Sequence, residues 1–244
     1  MSVKKKAIAP RRLARTSTQS AKADPGRRAF PIATVMETLR EVVGQWKKPA
    51  VTEIAHVNGD PFKVLISTIL SLRTKDETTA EASERLYGLA EDPASMLGLS
   101  QARIAKAIYP VGFYNTKART ILEACRVLID RHGGWVPDDL DQLLELKGVG
   151  RKTANLVLTL GYNKQGICVD THVHRITNRW GYVTTRTPDQ TETALRESLP
   201  AKYWIPINDW LVSYGQRICR PVSPLCSQCR LATDCPRKGV TRSR

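Results

Sequence analysis

The sequence predicts an all-α protein, and three observations carry that reading. Apolar residues recur at helical spacing through most of the chain, as in Ile32, Val35, Met36, Leu39, Val42, Val43 and Trp46. No segment sustains the apolar–polar alternation of a strand. Helix-start pairs, a capping side chain followed by proline, stand at Asp60-Pro61, Asp92-Pro93 and Thr187-Pro188.

In chain order, residues 1–28 carry nine Lys and Arg against the single carboxylate of Asp24, a net of +8, with little to bury. They read as a disordered tail: a DNA-tethering arm, an organellar transit peptide, or an extension without a role. A first helix covers Ile32 to Trp46. Pro61 opens a second, with Phe62, Leu65, Ile66, Ile69 and Leu70 apolar. Thr74 and Glu77 have the spacing of a capping box for a helix reaching about Leu89. Asp92-Pro93 and Ser100 start two short helices. Val111-Gly112-Phe113-Tyr114-Asn115 breaks the pattern before a helix with Ile121, Leu122, Cys125, Leu128 and Ile129, which Gly133-Gly134 ends. After Pro137-Asp138, Leu140, Leu143, Leu144 and Leu146 suit another short helix. Thr187 starts one more, and Trp210, Leu211, Tyr214 and Ile218 close the series.

A chain of 244 residues, 41% hydrophobic and 25% charged, can bury one or two ordinary globular cores. No apolar run approaches the length of a membrane span, and there is no signal-peptide core, so no membrane partner is expected. The net charge of +15 and pI near 9.8 call for a polyanionic partner, most simply nucleic acid. Of six cysteines, Cys125 and Cys168 sit in apolar patterns and read as buried and inert.

The stretch Leu146-Lys147-Gly148-Val149-Gly150-Arg151-Lys152-Thr153-Ala154-Asn155 lies between two helical patterns. Its two glycines mark a tight turn. Their bare amides, at the start of the next helix, can seat a phosphate with help from Arg151 and Lys152. An ordinary helix–helix corner is the alternative. From its residue type alone, Lys152 is a phosphate contact or a reactive amine. An amine of this kind can attack the anomeric carbon of a sugar and, through a Schiff base, ease β-elimination of the 3′ phosphate. It must be partly neutral near pH 7, and Arg151 and the positive end of the next helix disfavour its ammonium form. Asp170, before Thr171-His172, reads as the N-cap of a helix bearing Val173, Ile176 and Trp180. His172 and His174 read as packing or phosphate contacts.

Near the end of the chain Cys219, Cys226, Cys229 and Cys235 stand as C-x6-C-x2-C-x5-C. Four thiolates so close together indicate a metal centre rather than disulfides. Zinc usually takes two separated CxxC-like pairs; a single CxxC with longer arms suits a cubane iron–sulfur cluster.

GVGRKTAN, VDTHVHRI and the cysteine spacing, in this order, resemble the endonuclease III family of DNA base-excision glycosylases, from about Ile32 to Pro236. The resemblance implies a two-lobed helix-hairpin-helix fold with DNA bound between the lobes. Residues 29–53 would supply an N-terminal helix to an iron–sulfur domain, 54–164 a six-helix barrel, 165–236 the cluster domain, and 237–244 a basic C-terminal tail. It implies Lys152 as nucleophile, Asp170 as the carboxylate that steadies the sugar's developing charge and helps deprotonate the lysine, and a 4Fe–4S cluster on the four cysteines. Phe113 matches the apolar wedge of the family, with core packing as the alternative, and His172 joins the DNA-contacting set.

There are two departures. Between Cys219 and Cys226 only Arg220 is basic, where relatives often carry several cations. Arg73 stands where well-known relatives place a glutamine that fills the gap left by an extruded nucleotide. A donor-only arginine favours guanine over adenine as the estranged base.

The expected function is excision of oxidised pyrimidines with apurinic/apyrimidinic lyase activity, on double-stranded DNA carrying damaged bases or abasic sites, by a monomer. A mismatch or photoproduct glycosylase of the same superfamily, or a non-catalytic DNA-binding module, are the alternatives. The expected location is cytoplasmic and nucleoid-associated in a bacterium or archaeon, with organellar targeting by the tail left open.

Overall fold

A computed structural model describes residues 30–244; the basic stretch 1–28 lies outside the described residues. Among the described residues every regular element is helical. α1 (Ile32–Val43) is followed by α2 (Ala50–Asn58), α3 (Pro61–Ser71), α4 (Asp76–Tyr87), α5 (Pro93–Leu97) and α6 (Gln101–Ile108). The long α7 (Tyr114–His132) leads to α8 (Leu140–Glu145) and α9 (Arg151–Leu156), which continues as one π turn, Val157–Gly161. α10 (Thr171–Arg179), α11 (Pro188–Ser198) and α12 (Pro206–Arg217) complete the set, with short 3₁₀ turns at Ala201–Tyr203 and Cys226–Gln228.

Among the described residues, side-chain caps explain six of the twelve α-helix starts. Asp60 accepts from the amide of Phe62 at 2.8 Å, Ser100 from Arg103, and Thr187 from Gln190. Asp92 and Ser95 form a reciprocal box. Gly133 ends α7 in the left-handed region at φ 60°.

Two cores result. The first gathers residues of α2 to α9, among them Leu65, Ile69, Leu86, Ile104, Ile121 and Leu128. The second joins α1 to the C-terminal third, through Met36, Leu39, Val173, Ile176, Leu211 and Tyr214. The chain passes between them at Ile167-Cys168-Val169. There Cys168 enters the first core while Ile167 and Val169 enter the second. Asp170 follows at once, so it stands where the two lobes meet.

Several local expectations are corrected. α1 ends at Val43, and Trp46 lies beyond it, stacked on Tyr214 with ring centroids 6.1 Å apart. α2 has no side-chain cap and was not legible. Its Val51 and Ala55 belong to the first core, so the boundary expected at 53/54 falls inside a helix. The Thr74–Glu77 box does not form: α4 begins at Asp76 with Lys75 as its uncapped start, because the Thr74 hydroxyl is engaged elsewhere. Residues 237–244, expected as a tail, lie against the cysteine segment. The amide of Lys238 donates to the carbonyl of Arg179, and Arg244 exchanges backbone bonds with Pro224 and Ser227, each at 2.9 Å.

Candidate active site

A cleft of about 840 Å³ is lined by Lys152 and Asp170 together with Arg73, Phe113, Lys117, Gly150, Arg151 and His172. It draws on α2, α3, α7, α9, α10, α11 and α12, so both lobes contribute. Arg73 and Asp170, far apart in sequence, line the same cleft.

Asp170 caps α10, as read from the sequence. Its Oδ1 accepts from the amides of His172 at 2.8 Å and Val173 at 2.9 Å. Both cap bonds use the same oxygen, and among the described residues Oδ2 receives none. One oxygen therefore holds the helix while the other is free for the cleft. The charges of Asp170 and Lys152 both act on the imidazole of His172, which places all three in one electrostatic neighbourhood.

Burial lowers the pKa of His172, and the nearby charges of Arg175 and Lys152 act in the same direction. Arg175 donates to Nδ1 at 3.0 Å. A guanidinium only donates, so neutral His172 carries its proton on Nε2 and is a donor there. A Cβ at Gly215 would stand 2.3 Å from Nδ1, so this glycine makes the room that the ring occupies. His174 instead meets the hydroxyl of Thr191 at 2.7 Å.

Arg151 lines the cleft and also has a partner within the protein. Its Nε and a terminal nitrogen reach Glu192 on α11 at 3.0 and 2.8 Å. Glu192 is only 3% exposed and also takes Arg196 at 3.0 Å. Burial alone would push the Glu192 carboxyl up, but hydrogen bonds from Arg151 and Arg196 outweigh it and leave the group below its usual range. The Arg151 charge is thus committed to a buried carboxylate. Arg196 shares that one carboxylate, so the trio keeps a net positive charge, and the Arg151 side chain, 43% exposed, still lines the cleft. No motif in the sequence marks Glu192; only the approach of α11 to α9 makes the pair.

The two hairpin glycines have different jobs. Gly148 sits at φ 81°, and a Cβ there would come within 2.6 Å of Thr120 Cγ2. Gly150 starts α9 with ordinary φ, is exposed, and has nothing within 4 Å of a Cβ. Gly150 lines the cleft, whereas Gly148 does not. Gly148→Ala should therefore lose about 1–2 kcal/mol of stability from its left-handed backbone alone. Gly150→Ala should unfold at the wild-type temperature yet bind DNA more weakly, because the added methyl meets only an approaching ligand. Thermal unfolding beside a DNA-binding titration separates the two; equal binding by wild type and Gly150→Ala would remove Gly150 from the interface.

Phe113 is 62% exposed, at φ 59°, immediately before α7. That answers the core-packing alternative: the ring faces the cleft. The Arg73 guanidinium lies over it, 5.6 Å from the ring centroid. Lys117, which the sequence does not mark, is buried at the cleft edge, and burial pushes its pKa down to about 8.

The four distal cysteines line a separate cavity with Arg179, Trp180, Tyr214, Ile218 and Leu225. Arg179 donates to Cys219 Sγ at 3.3 Å, and the Tyr214 hydroxyl meets Cys229 Sγ at 3.1 Å. Cys125 and Cys168 are buried away from this group, and burial pushes both thiols up to about 12, so they are inert as expected.

A helical hairpin set in a two-lobed fold, with a lysine and a carboxylate in the cleft between the lobes, defines the helix-hairpin-helix class of base-excision repair proteins. Residues 66–201 match the HhH-GPD superfamily base excision DNA repair protein family. The chain is 45% identical to endonuclease III of Thermotoga maritima, over 86% of this chain and 98% of that one. It is 36% identical to endonuclease III of Escherichia coli K12, over 73% and 84% of the two chains. Its fold superposes with a TM-score of 0.76 on a trapped covalent endonuclease III–DNA intermediate with an estranged adenine, at 29% identity, covering 84% of this chain and 94% of that one. The chain belongs to the endonuclease III family and is a DNA glycosylase and lyase of base excision repair. No helix among the described residues is long and apolar enough to cross a membrane.

Proposed function

We propose that this protein excises oxidised pyrimidines from double-stranded DNA and nicks the resulting abasic site, with Lys152 as nucleophile and Asp170 as its carboxylate. The observation that carries the reading is the meeting of these two residues in one interlobe cleft, Asp170 with an oxygen to spare. The damaged nucleotide leaves the stack and enters the cleft. The free oxygen of Asp170 stabilises positive charge on the sugar as the base departs. The neutral amine of Lys152 attacks the anomeric carbon, and the Schiff base formed there eases β-elimination of the 3′ phosphate. Hydrolysis of the imine then returns the free amine. Gly148 shapes the hairpin, Gly150 offers an amide to phosphate, and the Nε2–H of His172 is a further donor. Phe113 and Arg73 occupy the gap in the duplex, where the donor-only guanidinium favours an estranged guanine. Borohydride trapping on abasic duplex DNA tests the reading: a covalent protein–DNA adduct is expected. A correctly folded protein that binds this DNA but forms no adduct would overturn it.

Cys219, Cys226, Cys229 and Cys235 suit a 4Fe–4S cluster. All four line one cavity, where Arg179 donates to Cys219 Sγ and can offset thiolate charge. An all-cysteine donor set with one CxxC and longer arms suits a cubane cluster. When bound, the cluster supplies cross-links to a segment poor in core: of the hydrophobic residues from 219 to 244, Leu231 alone is buried. The purified protein should be yellow-brown, with iron and inorganic sulfide, and Cys226→Ser should yield little soluble protein. Stoichiometric zinc without sulfide would reverse the assignment.

A further inference from the structure

Arg73 and Phe113 stand on different loops, yet the structure joins them through a third residue. Lys117, on the first turn of α7, is only 7% exposed. Its ammonium donates to the carbonyls of Leu70, at 2.8 Å, and Leu72, and to the Thr74 hydroxyl at 3.1 Å. These carbonyls belong to the C-terminal end of α3, where backbone acceptors lack helical partners and the helix dipole is negative. The three donors of the ammonium thus meet three oxygens. Among the described residues no carboxylate pairs with Lys117, so its charge is held by backbone and hydroxyl oxygens alone.

The same Thr74 oxygen accepts the amide of Gly112 at 3.2 Å. It is therefore a shared node between the loop after α3 and the loop before α7. The two backbones are pressed together there: a Cβ on Gly112 would lie 2.6 Å from the carbonyl oxygen of Arg73. Each loop then presents one non-glycine residue in the left-handed region, Arg73 at φ 54° and Phe113 at φ 59°. Such backbone persists only where its surroundings over-determine it. The Arg73 guanidinium lies over the Phe113 ring, and both side chains line the cleft that holds Lys152 and Asp170.

We infer that Lys117 is a positioning residue: through Thr74 it builds Arg73 and Phe113 into one preformed plug for the gap that an extruded nucleotide leaves. The inference rests on the reading of Arg73 and Phe113 as gap-filling residues. Its physical basis is entropic. Two loose loops would have to be ordered each time DNA is opened, whereas a plug already tied to the end of α3 is ordered before DNA arrives. Lys117 then acts on the handling of duplex DNA rather than on the Schiff-base chemistry.

The test compares single-turnover strand cleavage at an abasic site in a duplex with cleavage of the same oligonucleotide single-stranded. The single strand has no estranged base and no gap. Lys117→Met keeps the apolar stem and removes the donors; Thr74→Val keeps the side-chain shape and removes the shared acceptor. Each should lower the duplex-to-single-strand rate ratio by about tenfold or more, the scale of loss that misplaced positioning groups produce. A structural defect alone would lower both rates together and leave the ratio unchanged, which overturns the inference. Where Lys117→Met does not fold, Thr74→Val decides. Arg73→Ala and Phe113→Ala serve as references. If they lose the ratio while folded Lys117→Met and Thr74→Val keep it, the inference falls and the plug stands. If all four keep it, the plug reading falls and takes the inference with it.

Discussion

Lys152→Ala should bind abasic duplex DNA nearly as the wild type does, yet form no borohydride-trapped adduct and nick no strand. The substitution removes at most one cation from a DNA interface, and affinity falls only modestly with one phosphate contact. The chemistry, by contrast, has no substitute for the missing amine. Lys117 is the other lysine lining the cleft, and burial lowers its pKa to about 8, but its nitrogen is committed to Leu70, Leu72 and Thr74. Breaking those bonds would undo the end of α3. Gel-resolved trapping beside a binding titration reads both halves of the expectation. An adduct that persists in Lys152→Ala would assign the nucleophile to another amine.

Asp170→Asn should slow base excision by roughly 10²–10⁴-fold, the range of a lost acid–base or charge-stabilising group. The fold should tolerate the change. An asparagine Oδ1 can still accept the amides of His172 and Val173, and Asn and Asp are about equal as N-caps. What disappears is the negative charge on the uncapped side. Excision measured in single turnover, with a thermal unfolding curve as the control, separates the charge from the cap. Full excision by a folded Asp170→Asn protein would leave Asp170 a structural cap and nothing more.

The contrast between these two residues shows where sequence reading succeeds. The cap at Asp170 is a local device, written in three consecutive residues, and it formed as read. So did the starts at Asp60, Ser100 and Thr187 and the stop at Gly133, because each depends on backbone and side-chain groups within one helical turn. The Thr74–Glu77 box has the same local signature and failed. Its hydroxyl is claimed by Gly112 and Lys117, some forty residues further along the chain. Local propensity lost there to a tertiary contact that offered a buried ammonium an acceptor.

The sequence by itself determined that this is an all-helical, basic, DNA-directed protein of the endonuclease III family. It also marked the two-glycine turn before α9, of which Gly148 alone is left-handed, and two cysteines that lie buried. Motif spacing and helical periodicity are short-range properties, and they survive without coordinates. Only the tertiary structure decided which charges remain available. Arg151 looked free beside Lys152 until α11 brought Glu192 against it. Lys117 looked like any solvated lysine until α3 ended on its amine. Arg73 and Phe113, read separately as gap-filler and wedge, were not seen to touch until the loops that carry them closed on the Thr74 hydroxyl. The reason is common to all three: a long charged side chain acts on the group it reaches in space, and that partner is set by how helices pack.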